Sequence, residues 1–281
     1  MKERPREWTK EPEVDFKDII YEKKYFDEGG VARITFNNPA KRNALTQNAF
    51  PEMHLALDDA NYDHSIGVVI LTGAGDKAFC SGAEMSFESS GEYRRYFTAP
   101  VLTQYYFRQM RKPIIAAVKG YAIGYGNHLA YFCDFTIAAE NAIFGQTGPR
   151  VASPAHGYIV SYLTRVVGAK KAREIWMLCR QYNAQQALEL GLVNSVVPLD
   201  KFDEEVVKWC REILANSPTC IQIVKESFDQ DIDYLRGTWS VAMMQGAPDH
   251  FDSEETKEAH RAFFEKRKPD FSRFRGMGEG I

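Results

Sequence analysis

The sequence predicts an α/β fold in which short strands alternate with helices, followed by a region that is helical throughout. Three observations carry this. From residue 19 onward, short β-type runs recur between stretches of helical periodicity. No Gly-x-Gly-x-x-Gly fingerprint follows an early strand, because Gly124-Tyr125-Gly126 continues as Asn127-His128-Leu129 without the third glycine, which argues against a dinucleotide-binding domain. Strand propensity then largely disappears beyond Leu199.

Taken in order, residues 19–23 and 31–36 are rich in β-branched and aromatic side chains and read as strands. Val68-Val69-Ile70-Leu71 and Ile114-Ile115-Ala116-Ala117-Val118 are wholly apolar, and Phe135-Thr136-Ile137-Ala138 nearly so, and all three read as short strands. Gly168 opens a helix to about Cys179. Asn183 caps a short helix over 184–190 that Gly191 ends, and residues 193–198 form a strand closed by Pro198. Helices are expected over 202–215, 218–230, 234–244 and 253–267. The expected organisation is an N-terminal extension (1–18), an α/β core (19–199) and a C-terminal helical region (200–281).

A chain of 281 residues with 44% hydrophobic content can bury one large core, or a core with a small appendage. A formal net charge of −3 supplies no global positive field to recruit nucleic acid or an acidic membrane. Cys80, Cys133, Cys179, Cys210 and Cys220 are widely spaced, odd in number and without a C-x-x-C pattern, so they read as buried apolar thiols in a reducing compartment. Residues 1–15 are charged and lack the apolar core of a secretory signal, and no apolar run approaches a membrane span. The expected address is the cytoplasm. His54, His64, His250 and His260 show no clustering at ligand spacing, so no metal is implied.

Two glycine-bearing turns join strand-like runs to helix starts. One, Phe79-Cys80-Ser81-Gly82-Ala83-Glu84, follows the apolar run ending at Gly73; the other lies in residues 112–150, where Gly124-Tyr125-Gly126 separates a buried strand from a helix. Uncrowded backbone at such turns leaves N–H groups free to point at one oxygen. Two donors converging in a dry pocket stabilise a developing oxyanion by roughly 3–4 kcal/mol each. Strand–glycine–helix junctions also arise for purely geometric reasons, so spacing alone leaves both readings open.

The ordered motifs Asn38-Pro39-Ala40-Lys41-Arg42-Asn43-Ala44-Leu45, Ala78-Phe79-Cys80-Ser81-Gly82-Ala83-Glu84, Gly120-Tyr121-Ala122-Ile123-Gly124-Tyr125-Gly126, Cys133-Asp134-Phe135-Thr136-Ile137-Ala138 and Phe144-Gly145-Gln146 resemble the crotonase (enoyl-CoA hydratase/isomerase) superfamily. The resemblance runs from about residue 19 to the C-terminus. It implies a crotonase-like spiral of ββα repeats with C-terminal helices that pack on the core or on a neighbouring subunit, in a homotrimer or homohexamer. Trp239, Val241, Ala242, Met243 and Met244 suit such packing, or ordinary core. An acyl-CoA is the implied substrate, coenzyme A being its carrier part. No tightly bound cofactor, nucleic acid or membrane partner is expected. Residues 144–149, 171–180 and 265–271 are similar to 1,4-dihydroxy-2-naphthoyl-CoA synthase, which makes a carbon–carbon bond, and to 2-ketocyclohexanecarboxyl-CoA hydrolase, which breaks one. Both reactions pass through a thioester enolate.

Carried over residue by residue, the resemblance makes Ala83 and Tyr125 the positions whose backbone N–H groups hold the thioester oxygen. Tyr125 stands where most relatives have glycine, and its ring is expected to narrow or cap the acyl pocket. The two glutamates of family hydratases correspond here to His128 and Gly148, so dual-glutamate acid–base chemistry is missing. Gly148 matches the synthase type, in which space at this position admits a small anion as base. An Asp common to the two related types is Ala155 here. His128 and His156 are the candidate acid and base, a pocket-shaping role being the alternative for each. Glu84 reads as a carboxylate satisfying a helix start. The aromatic stretch with Tyr93, Tyr96, Tyr105, Tyr106 and Phe107 covers a cyclic acyl group or forms helix core. For coenzyme A, the resemblance assigns Lys41 and Arg42 to nucleotide and phosphates, the backbone of Ser81, Gly82 and Ala83 to adenine, and Lys266, Arg267 and Lys268 to a phosphate on the neighbouring protomer. The expected reaction is C–C cleavage or formation on a cyclic β-keto acyl-CoA. Enoyl-CoA hydration or isomerisation is one alternative, and a non-catalytic CoA-ester- or RNA-binding homologue the other.

Overall fold

Strands covered on both faces organise the larger part of the chain. In the computed structural model, which describes residues 4–11, 14–89, 103–155, 157–232, 247 and 249–274, the strands are β1 (Thr9–Lys10), β2 (Ile19–Tyr25), β3 (Gly30–Phe36), β4 (Ile66–Gly73), β5 (Ala78–Cys80), β6 (Ile114–Val118), β7 (Tyr121–Ile123), β8 (Phe135–Ala139), β9 (Ile143–Gly145), β10 (Gln181–Asn183) and β11 (Ser195–Val197). One sheet has the order β1-β2-β3-β4-β6-β8-β11 and a second the order β10-β9-β7-β5. From β3 to β11 the first sheet is parallel, and every residue of β6 is buried, the pattern of a central strand covered on both sides. Residues 9–10 add an antiparallel edge strand against β2. The expected helix over 234–244, its apolar residues, Tyr93, Tyr96 and His156 lie outside the described residues.

The chain divides into two compact units, residues 1–144 with 182–231 and residues 145–181 with 232–281. In the first, the helices that matter for the site are α1 (Ala49–Tyr62), α2 (Met85–Glu88), α3 (Thr103–Gln109) and α4 (Tyr125–Phe132). On α1, Phe50, Met53, Leu57 and Ala60 form a buried stripe at helical spacing. The helix Phe202–Leu214 buries Phe202, Val206 and Cys210 on Val31, Val68, Ile70, Ile115, Ala117, Ile137 and Ala139 of the first sheet. Asn183 begins the helix Ala184–Glu189 with a capping box. Its Oδ1 accepts the Gln186 N–H at 2.9 Å, while Gln186 Oε1 accepts the Asn183 N–H at 3.0 Å. The strand expected over 193–198 narrows to β11, because Asn194 is engaged with Thr136 by both backbone and side chain, each at 2.8 Å.

Four of the five cysteines are buried, but Cys220 is exposed on the helix Pro218–Asp231, which corrects the expectation that all are core thiols. The second unit contains the helices Tyr158–Val167, Ala169–Leu178 and Glu254–Phe264. Its buried Glu258 receives Arg267 Nη2 at 3.1 Å and the Asp270 N–H at 3.1 Å. Among the described residues no helix is long and apolar enough to cross a membrane.

Candidate active site

Two three-residue strands place the site. β5 and β7 pair in parallel, Ala78 opposite Tyr121 and Cys80 opposite Ala122, so the loops leaving their C-terminal ends run side by side. Gly82 adopts φ +105° and Gly124 φ +59°, conformations that side chains resist. A Cβ added to Gly82 would meet Ile123 O at 3.3 Å and Tyr125 N at 3.5 Å. The first loop therefore passes directly against the amide that opens α4. Gly126 seals the approach, since a Cβ there would fall 2.0 Å from Cys80 O.

Hydrogen bonding fixes Ala83 from its other side. Leu45 donates its N–H to Gly82 O and accepts the Glu84 N–H, both at 2.8 Å, forming a parallel bridge with Ala83. In that pattern residues 82 and 84 face Leu45, and the Ala83 N–H points away from it. Tyr125 is the first residue of α4, where an N–H has no intrahelical acceptor. Among the described residues neither the Ala83 nor the Tyr125 N–H finds an acceptor. Two adjacent, uncommitted donors are what stabilisation of an oxyanion requires.

Asn43 anchors the segment that carries Leu45. It is fully buried and left-handed (φ +54°), and its Nδ2 donates to Ala74 O at 3.0 Å and to Ala78 O at 2.7 Å, while Oδ1 accepts the Asn38 N–H at 3.0 Å. The neighbouring Arg42 O accepts the Ser81 N–H at 3.1 Å, and Ser81 Oγ donates to Lys41 O at 3.3 Å. The segments 41–42 and 81–83 are thus joined side by side. The Arg42 guanidinium lies 5.1 Å from the centre of the Tyr121 ring.

Glu84 departs from its expected role. It precedes α2 but makes no side-chain cap; its carboxylate takes Lys41 Nζ and the Ser86 hydroxyl, and Lys41 holds it below the usual carboxylate range. Lys41 is consequently ion-paired with Glu84.

The Tyr125 side chain runs into the protein. Its ring packs edge to face on Phe50, with centroids 5.1 Å apart. Burial of its hydroxyl pushes the phenol well above its ordinary range, although the residue as a whole is only half-buried. Thr103 Oγ1 lies 3.2 Å from His54 Nε2, and the His54 ring stacks on Tyr106 at 3.9 Å. His128, buried one turn along α4, has its ring 5.2 Å from that of Tyr125 and 5.7 Å from that of Tyr131. Burial pushes the Cys80 thiol up to about 12, so it stays protonated.

The structure thus brings Ala83, Tyr125, His128, Lys41, Arg42, Ser81 and Gly82 into one region. Lys266 and Lys268 are exposed beyond the helix Glu254–Phe264 of the other unit. At Gly148, also in that unit, a Cβ would lie 2.5 Å from Ser153 O, so local backbone fills the direction in which a side chain would project. Sequence reasoning passed over Asn43, Thr103 and His54. Only Asn43 carried a signal, as a residue type that tolerates left-handed backbone next to a Pro-initiated turn.

A model of the family described as enoyl-CoA hydratase/isomerase matches residues 27–274. The chain belongs to that family. Among solved structures, it is similar to an enoyl-CoA hydratase/isomerase from Xanthobacter autotrophicus Py2, with 30% identity, a TM-score of 0.72, and coverage of 94% of this chain and 95% of that one. An enoyl-CoA hydratase from Bacillus anthracis matches at 30% identity and TM-score 0.68, covering 90% of this chain and 98% of that one. Methylmalonyl-CoA decarboxylase in complex with 2-nitronate-propionyl-CoA matches at 26% identity and TM-score 0.77, covering 92% of this chain and 99% of that one. The expected α/β crotonase fold is therefore present, in a family of enzymes acting on CoA thioesters.

Proposed function

We propose that this enoyl-CoA hydratase/isomerase family member makes or breaks a carbon–carbon bond α to a thioester, on a cyclic β-keto or related acyl-CoA. The observation that carries the reading is the pair of uncommitted amides at Ala83 and Tyr125 in adjacent loops, without a glutamate at either His128 or Gly148. The amides would receive the thioester oxygen as it becomes an enolate oxyanion. Water attack on the β-keto carbon, followed by departure of the α-carbon as that enolate, opens the ring; the reverse direction closes it. His128 is the proposed proton carrier, and His156 its proposed partner. Lys41, Arg42 and the backbone of 81–83 are the proposed contacts for coenzyme A.

Hydration or isomerisation of an enoyl-CoA is the second reading, favoured by the names of several structural neighbours. Incubation with cyclic and linear CoA esters in ¹⁸O-labelled water, followed by mass spectrometry, separates the two. Ring opening places the label in a new carboxylate at the end of an opened chain. A labelled hydroxyl on an intact acyl group, with no C–C cleavage of any cyclic ester, would overturn the proposal.

A further inference from the structure

The helix Pro218–Asp231 is fastened to its own unit by charged groups, with Lys225 as its buried residue. Lys225 Nζ bonds Asp134 Oδ2 at 2.5 Å and Lys112 O at 3.2 Å, and the same Asp134 oxygen accepts the Ile114 N–H at 2.7 Å, where β6 begins. Asp229 lies one turn further along the helix, on the same face as Lys225. There it meets Arg108 of α3, whose side chain is 7% exposed. Arg108 Nη2 donates at 2.6 Å to the Asp229 carbonyl, one of the last four of the helix, which have no N–H partner within it. A cation at that end is favoured by the helix dipole. The Asp229 side chain is less well served. Its Oδ1 is 3.6 Å from Arg108 Nε, beyond hydrogen-bond reach, and its Oδ2 is buried with no hydrogen-bond partner among the described residues. Asp134 adds a like charge across the cluster. A carboxylate with one oxygen undonated is poorly compensated for the water it has lost. Burial accordingly pushes the Asp229 carboxyl up from its ordinary 3.8 to about 6, against the pull of Lys225 and Arg108.

The grip of α3 on this helix therefore runs through a main-chain carbonyl, and the charge on Asp229 works against it. At its other end α3 is held without charge. Thr103 Oγ1 lies 3.2 Å from His54 Nε2, and Tyr106 stacks on the His54 ring at 3.9 Å. Burial lowers the His54 imidazole to about 4, so this end does not titrate above about pH 5. Between the two ends Phe107 faces Phe132 of α4, with centroids 6.4 Å apart, and His54 stands one turn beyond Phe50, on which the Tyr125 ring packs. We propose that Arg108 and Asp229 form a pH-sensitive clasp on α3, which tightens when Asp229 takes up a proton and so holds α3 more firmly on α1 and α4 beside the candidate active site. Arg108 is the positioning residue and Asp229 its switch. The clasp does not depend on which reaction the site performs. Its sign follows from linkage: a carboxyl raised by docking opposes docking while it is ionised, and that opposition is relieved as pH falls through about 6 toward 4. From about pH 7.5 to about pH 5 the rise from 3.8 to about 6 amounts to about tenfold in the docking equilibrium, which solvent screening reduces to about three- to tenfold.

The test reads the opening of α3 directly. Hydrogen exchange followed by mass spectrometry, on the full-length protein and corrected for the intrinsic exchange rate at each pH, reports on the amides of residues 107–110. In the unaltered protein their protection should rise about three- to tenfold from about pH 7.5 to about pH 5, while that of the helix Phe202–Leu214 changes by less than about twofold. Asp229→Asn, neutral at every pH, should show the higher protection at both values, because it removes the poorly compensated charge and leaves the carbonyl that Arg108 grips. Arg108→Met, which loses the donors, should lower protection at both; Asp229→Asn decides alone if that variant does not fold. Protection of α3 that stays flat or falls on acidification would overturn the clasp. So would a rise shared equally by the helix Phe202–Leu214, or an Asp229→Asn variant less protected than the parent at about pH 7.5, since the ion pair would then be what holds α3 in place.

Discussion

Gly82 sits at φ +105° with its α-carbon facing Tyr125 N, so this one residue combines a backbone requirement with a steric one. Gly82→Ala should cost about 1–3 kcal/mol from the strained conformation alone, and its methyl group, 3.3 Å from Ile123 O, should also press on the backbone that leads into Tyr125. Denaturant unfolding measures the first effect and kcat the second; a variant as stable and as active as the parent would contradict the loop geometry. His128 separates differently. Buried within α4 and ringed by Tyr125 and Tyr131, it should tolerate replacement by Ala with turnover reduced about 100-fold or more and acyl-CoA affinity little changed, if it carries a proton. Steady-state kinetics alongside direct binding would decide, and unchanged turnover removes it from the mechanism. Asn43 shows how a motif residue can serve by holding backbone: its amide bonds place the 38–45 segment so that Leu45 can bracket Ala83.

Among the elements, β2 and α1 are joined by a charged knot. Lys23 Nζ bonds Asp59 at 2.7 Å and Asp63 at 2.9 Å, and lies 3.3 Å from Glu11. Burial pushes the Asp63 carboxyl up, but hydrogen bonds from Ser65 and Lys23 outweigh it and bring the group down to about 2. A carboxyl lowered in the folded state stabilises above its unfolded value near 3.8, and that contribution is lost as pH falls from about 4 through about 2. With solvent screening the contribution is about 1–2 kcal/mol, so Asp63→Asn should lower stability at neutral pH and flatten the loss between pH 4 and 2. Chemical denaturation as a function of pH checks both. The long elements were legible in the sequence because runs such as Val68–Leu71 and Ile114–Val118 allow only one burial pattern, and residues 114–118 form β6 as expected. The second sheet was not legible. Three residues, as in Ala78–Cys80 or Tyr121–Ile123, are too few to show a period, and it is their pairing that sets the two candidate loops side by side. The packing of Tyr125 on Phe50 was hidden as well, because no local pattern links α1 to α4 across such a separation in sequence.

At the scale of the whole molecule, the family is read from motifs and the chemistry from what those motifs lack. Five ordered segments identify an enoyl-CoA hydratase/isomerase family member, and the match over residues 27–274 agrees with them. By the resemblance, His128 and Gly148 stand where family hydratases carry glutamates, and the backbone of Ser153 fills the space that a side chain at residue 148 would need. The proposed reaction depends on a pair of amides, those of Ala83 and Tyr125, for which no acceptor is found among the described residues. The most direct measurement is a crystal structure of the protein with a bound acyl-CoA substrate analogue. The thioester oxygen should lie about 2.7–3.1 Å from both the Ala83 and the Tyr125 nitrogen. A thioester oxygen lying away from these two amides, or either amide bonded instead to another protein group, would contradict the proposed reaction.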